Sequence, residues 1–188
     1  MIEFIRKALA EAEKTSGARV YECAEIPVSA LVFSPELFAA CQTNACGHYN
    51  SSWTCPPASG TPEEQREKIL AYKNAFVFTT KHLLEDSFDY EGMTRGKDLH
   101  MALTLEFRNN LPAAFPVYGA GSCPVCRNDE NGKSRCAFPD PCPFPLKKIG
   151  SIEAAGINVT ALSKSAEIRY NNGPNTVTYF SMVLWNGN

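Results

Sequence analysis

The sequence has no uninterrupted apolar run of the roughly 20 residues that a membrane-spanning helix takes, and no cluster of lysines and arginines. The first absence excludes a spanning helix. The second removes the electrostatic footprint on which nucleic-acid binding depends, and Lys and Arg (18) are slightly outnumbered by Asp and Glu (20), for a formal net charge of −2. A glycine-rich phosphate loop is missing too: Gly119-Ala-Gly121 runs into cysteines and not into a helix start, so nucleotide binding is not expected. The N-terminal stretch carries charges throughout and has neither the apolar core nor the small-residue cleavage site of a secretory signal. The expected protein is therefore cytoplasmic, with neither membrane nor nucleic acid as a partner.

Cysteine, in contrast, is plentiful, at 8 in 188 residues. A chain of this length buries roughly 70% of its unfolded surface on folding, so it does not need cross-links to hold a core. In a reducing compartment thiols serve as metal ligands or catalytic groups more often than as disulfides.

The rest of the chain reads as one layered domain over residues 1–188. Ile2, Ile5, Leu9 and Ala12 fall near helical spacing and predict an amphipathic first helix. Ala18 to Ile26 alternates like a half-buried strand, and a short helix spans Pro35 to Ala40. Thr61-Pro-Glu-Glu64 offers a capping hydroxyl, a proline at the first helical position and a carboxylate at the third, predicting a helix to about Lys73. Strands follow at Ala75–Thr79 and Phe115–Tyr118, with a long helix from Thr94 to Asn110 between them. A small helix near Ala161–Ala166, a turn at Asn171–Asn175 and a strand over Thr176–Trp185 complete the chain. Irregular alternation of helix and strand predicts an α+β or α/β layered fold, a mixed sheet with flanking helices, interrupted by Cys-rich loops at residues 41–57 and 121–145.

The second loop carries Cys123, Cys126, Cys136 and Cys142, spaced C-x2-C-x9-C-x5-C. Two intervening residues let a C-x2-C pair turn both sulfurs to one side, and four thiolates complete a tetrahedral zinc site or hold the corners of an iron–sulfur cube. Zinc ribbons usually present two C-x2-C knuckles, and this loop has one. The Cys-Pro pairs at Cys55, Cys123 and Cys142 match an element of ferredoxin cluster loops and tilt the reading towards a [4Fe–4S] cluster, with zinc as the alternative. Phe138 and Phe144 are candidates to shield such a centre, and equally are plain core aromatics.

The first loop carries Cys41, Cys46 and Cys55, spaced C-x4-C-x8-C, with no obvious fourth ligand. Cys23, His48, an exogenous molecule or nothing at all are the candidates. An open position would leave one iron free as a Lewis acid. For Cys23 the reading as a small hydrophobe on a strand is preferred, and a loop histidine such as His48 is often a hydrogen-bond donor behind the ligands. His82 and His100 read as ordinary side chains. Asp86, Asp89, Glu63 and Glu64 read as caps and solvated charges, without a catalytic role.

Together, Cys41-x4-Cys46-Gly-x-Tyr49, Trp53-Thr-Cys55-Pro-Pro57, Gly121-x-Cys-x2-Cys126 and Pro141-Cys142 resemble the predicted metal-binding proteins of anaerobic bacteria and methanogens, a domain family of unknown function. Ser151-Ile-Glu-Ala-Ala-Gly-Ile-Asn-Val159 and Tyr170-Asn-Asn-Gly-Pro-Asn-Thr-Val-Thr-Tyr-Phe180 extend the resemblance from about residue 20 to the end. It implies metal binding of iron–sulfur type through Cys41, Cys46, Cys55, Cys123, Cys126, Cys136 and Cys142. The second loop departs from the family's tight C-x2-C-x2-C and Pro-Cys-Arg elements: nine residues separate Cys126 from Cys136, and Pro143 replaces the arginine. Asn128-Asp-Glu-Asn-Gly132 reads as a surface turn inserted between ligands, which costs little loop entropy. The resemblance brings no established reaction. Three roles follow from these residues: electron transfer with a redox protein partner, an enzyme with an open iron position at Cys41/Cys46/Cys55, or a zinc-stabilised binding module.

Overall fold

A computed structural model describes residues 1–126 and 136–187, so the expected turn at Asn128–Gly132 lies outside the described residues. In chain order the elements are α1 (Ile2–Ser16), β1 (Cys23–Pro27), a one-turn 3₁₀ helix (Val28–Ala30), α2 (Pro35–Cys41), α3 (Pro62–Leu70), β2 (Asn74–Leu83), α4 (Tyr90–Asn109), β3 (Val117–Gly119), β4 (Ile149–Ser151), α5 (Val159–Ser165) and β5 (Thr176–Trp185). The strands form one mixed sheet in the order β1-β2-β5-β3-β4, antiparallel except for the β3–β4 pair.

Both faces of the sheet are covered. Phe76 and Phe78 of β2, with Val183 and Trp185 of β5, pack against Ile5 and Leu9 of α1 and Leu103 and Phe107 of α4. The alternate residues Ala75, Val77, Met182 and Leu184 pack against Val28, Ile69 of α3 and Leu162 of α5 on the opposite face. Burial on both faces explains why β2 and β5 read as continuous apolar runs without alternation. It also places Trp185, 1% exposed, in a central strand and not at a free edge.

Elements begin where their caps are. Thr61 and Glu64 form a reciprocal capping box on α3. Asp89 Oδ1 accepts from the Gly92 amide at 2.7 Å and starts α4 at Tyr90, four residues before the expected Thr94. The carboxylates Glu64 and Asp89 are thus helix caps, and Asp86 accepts from the Phe88 amide at 2.6 Å in the preceding turn. β1 begins at Cys23 and not at Ala18, although the Tyr21 amide still reaches Thr79 O at 2.7 Å. β2 runs on to Leu83, past the expected Thr79, because its polar end is satisfied from above by α4. There Thr80 Oγ1 lies 2.8 Å from His82 Nε2 and 2.9 Å from His100 Nδ1, while His100 Nε2 lies 2.8 Å from Ser181 Oγ, itself 2.8 Å from Thr104 Oγ1. α4 lies this close only because residue 96 is glycine: a Cβ there would stand 2.8 Å from the His82 ring.

The two Cys-rich segments leave and re-enter this frame at defined points. The first runs from the end of α2 to the start of α3, and the second links β3 to β4 at one edge of the sheet.

Candidate metal centre

The second segment turns its four cysteines inward. Cys123, Cys126, Cys136 and Cys142 line one pocket together with Trp53, Thr54, Val125, Phe144 and Lys148, with free room of about 10 Å³, about that of a single water. Backbone amides are aimed at three of the sulfurs. Trp53 N–H donates to Cys136 Sγ at 3.4 Å, Ile149 N–H donates to Cys123 Sγ at 3.4 Å, and the Ala137 amide donates to Cys126. Such bonds stabilise thiolate charge. Burial, opposed by these amide bonds, raises the Cys123 thiol above its ordinary value; burial and then the neighbouring Cys136 and Cys142 do the same for Cys126. Phe138 stands edge-on to Trp53, ring centroids 5.2 Å apart, and Phe144 lines the pocket itself.

The first segment folds back on itself through left-handed backbone at Asn44 (φ 53°), Gly47 (φ 74°) and Asn50 (φ 54°), residue types that tolerate it. Asn44 N–H returns to Cys41 O, and the Asn44 side chain accepts from the Tyr49 amide, both at 3.0 Å. The result keeps Cys41, Cys46 and Cys55 within electrostatic reach of one another. Burial, then Cys46, pushes the buried Cys55 thiol up to about 11 against opposing bonds from Ser52 and Thr54. Burial, then Cys46 and Glu153, raises Cys41. Glu153 lies in the Ser151–Val159 motif, which does not mark it as a neighbour of the thiols; it follows β4 and is held by the Ser151 hydroxyl at 2.9 Å.

The two segments are also tied to each other. Cys123 N–H donates to Thr54 Oγ1 at 3.2 Å, Trp53 Nε1 donates to Asp140 O at 2.9 Å, and His48 Nε2 lies 3.3 Å from Ser122 Oγ. His48 therefore bridges the loops, with burial and then Lys97 lowering its basicity. Cys23 is gathered with neither set. It sits on β1, at the sheet edge opposite β3 and β4, where Arg6 Nη1 donates to its sulfur at 3.6 Å. Cys23→Ser is accordingly expected to leave metal content per chain unchanged by elemental analysis; loss of a metal equivalent would show that the first set recruits it.

Among the described residues, no three His, Cys, Asp or Glu side chains are already arranged to hold a metal ion. The chemistry of the donors does fit one. Among the described residues sulfur is the only anionic ligand atom lining the second pocket, aromatic and aliphatic groups line it too, and amides already point at the sulfurs. Soft thiolate sets of this kind select zinc or iron–sulfur clusters over hard cations. Among the described residues no helix is long and apolar enough to cross a membrane.

The chain belongs to a family described as predicted metal-binding protein (DUF2284), whose profile matches residues 24–185. No curated protein and no solved structure matches it.

Proposed function

We propose, from membership in this metal-binding family, that the protein is an iron–sulfur protein that passes electrons to a redox protein partner. One observation carries the reading: four thiols from one segment line a single shielded pocket and three receive backbone N–H bonds. Cys123, Cys126, Cys136 and Cys142 would hold a [4Fe–4S] cluster there, and Cys41, Cys46 and Cys55 a second centre. A cluster, when bound, supplies one-electron chemistry. The chain's own contribution is to set its potential, through amide donors to sulfur and through Trp53, Val125 and Phe144, which keep water out.

Two observations favour other occupants. Room of about 10 Å³ in the second pocket is closer to that of a single ion than of a four-iron cluster, which favours a tetrahedral zinc on which the thiols would close. The first set gathers three thiols and no fourth, which suits an iron with an exchangeable position and hence an enzyme. Reduction separates these. Anaerobically purified and reconstituted protein is expected to be brown and to bleach with dithionite; colourless protein would contradict the iron–sulfur reading, and a signal that shifts with added small molecules would favour the open-iron enzyme.

A further inference from the structure

Beside the thiol pocket lies a cleft with room for about 530 Å³, within the range of about 300–1,000 Å³ typical of small-molecule sites. Its described lining includes three cations, Lys68, Arg108 and Lys148, and no carboxylate. Arg108 is the unusual one. It is 3% exposed, and its guanidinium meets only backbone carbonyls: Nη1 donates to Pro112 O at 3.0 Å and Nη2 to Leu146 O at 2.6 Å. Its Nε has no hydrogen-bond partner, and no carboxylate among the described residues pairs with it. A buried charge without a counter-ion costs several kcal/mol, which carbonyl dipoles offset only in part. The hydroxyl of Ser59, also on the lining, is buried and unpartnered as well.

We propose that this cleft binds a small organic anion, one bearing a carboxylate or a phosphate, with Arg108 as the buried anchor and Lys68 and Lys148 at its mouth. The exposed lysines attract the anion; the fixed guanidinium supplies the directional donor. Tyr118 adds a phenol that burial keeps protonated up to about 12, hence a neutral donor at any working pH. Its ring packs against Gly150, where a Cβ would stand 2.5 Å from it, so only glycine at 150 leaves the ring this position on the cleft wall. Trp53, Thr54 and Lys148 line both this cleft and the thiol pocket, so a bound anion would lie beside the second thiol set. The anion site stands without the metal assignment, since none of its donors is a thiol.

Calorimetric titration of the full chain with inorganic phosphate, and separately with succinate, at constant ionic strength tests this. Saturable one-to-one binding of at least one probe is expected, with phosphate preferred if the natural ligand is a phosphoryl compound and succinate preferred if it is a carboxylate. Lys68→Ala and Lys148→Ala should each weaken binding about threefold, and the double variant about tenfold, as exposed charges contribute under about 1 kcal/mol apiece. Arg108→Gln should abolish it; because that residue also ties Leu146, the lysine variants keep the test valid if Arg108→Gln fails to fold. Lys81→Ala, whose ammonium lies 4.3 Å from the Tyr21 ring away from the cleft, should change nothing. Absence of saturable binding by both probes, or binding unaltered in the double lysine variant, overturns the proposal.

Discussion

Cys126→Ser is expected to cost the protein one metal centre and to lower its melting temperature by about 8–16 °C. The hydroxyl is a harder and poorer ligand for a thiophilic metal than the thiolate, and the Ala137 amide loses its sulfur acceptor. A site filled at about 1,000 times its dissociation constant contributes about 4 kcal/mol to folding, and a chain of this size shifts by about 2–4 °C per kcal/mol. Cys142→Ser should behave alike, because both sulfurs line the same pocket. The thiols Cys41, Cys55, Cys123 and Cys126 are all held above the ordinary range, chiefly by burial, so they are protonated at neutral pH without metal. Loading must displace those protons, and affinity should therefore fall as pH falls. Metal analysis with a thermal melt checks the variant. Full occupancy in Cys126→Ser would remove that residue from the ligand set.

His100→Gln is expected to flatten the acid side of the stability profile. His100 is wholly buried between α4 and the sheet, and burial drives its pKa down from 6.5 to about 3. The unfolded chain therefore binds the proton more readily than the folded one between these values. Stability from this group is complete above about pH 6.5 and is lost as pH falls towards 3, at about 1.4 kcal/mol per pH unit and on the order of 5 kcal/mol in all. Glutamine keeps hydrogen-bonding capacity towards the Thr80 and Ser181 hydroxyls but does not titrate. His48, also lowered by burial, and the thiols act in both proteins, so the difference between the two urea-denaturation series reports residue 100 together with His82, which shares the Thr80 hydroxyl with it. Parallel pH profiles for the two proteins would show that His100 takes up its proton without unfolding the core.

These two predictions draw on parts of the molecule that differ in how readable they are. β5 was legible residue for residue, because Thr176–Trp185 is a β-branched and aromatic run with a turn before it. The far half of β2 was not. The strand pattern ends at Thr79, and Thr80, Lys81 and His82 extend it only because His100 of α4, 20 residues beyond Thr80, supplies a partner for the Thr80 hydroxyl. β4 escaped because three residues, one of them glycine, carry no periodicity, and its pairing with β3 spans the whole second loop. That Cys123, Cys126, Cys136 and Cys142 would line one pocket was legible from spacing alone, since they come from one short segment. The neighbourhood of Cys41 and Glu153, the His48 bridge to Ser122 and the cationic cleft were not, because their members lie tens of residues apart and meet only through the fold.

The account turns on metal held by thiolates, and the most direct test is iron, zinc and acid-labile sulfide per chain on anaerobically purified protein. Iron and sulfide in equal amounts, at about four or eight per chain, are the predicted result for one or two cubane clusters. Protein free of both iron and zinc after reconstitution would contradict the central claim, whereas zinc without sulfide would keep the thiolate site and replace the redox role by a structural one.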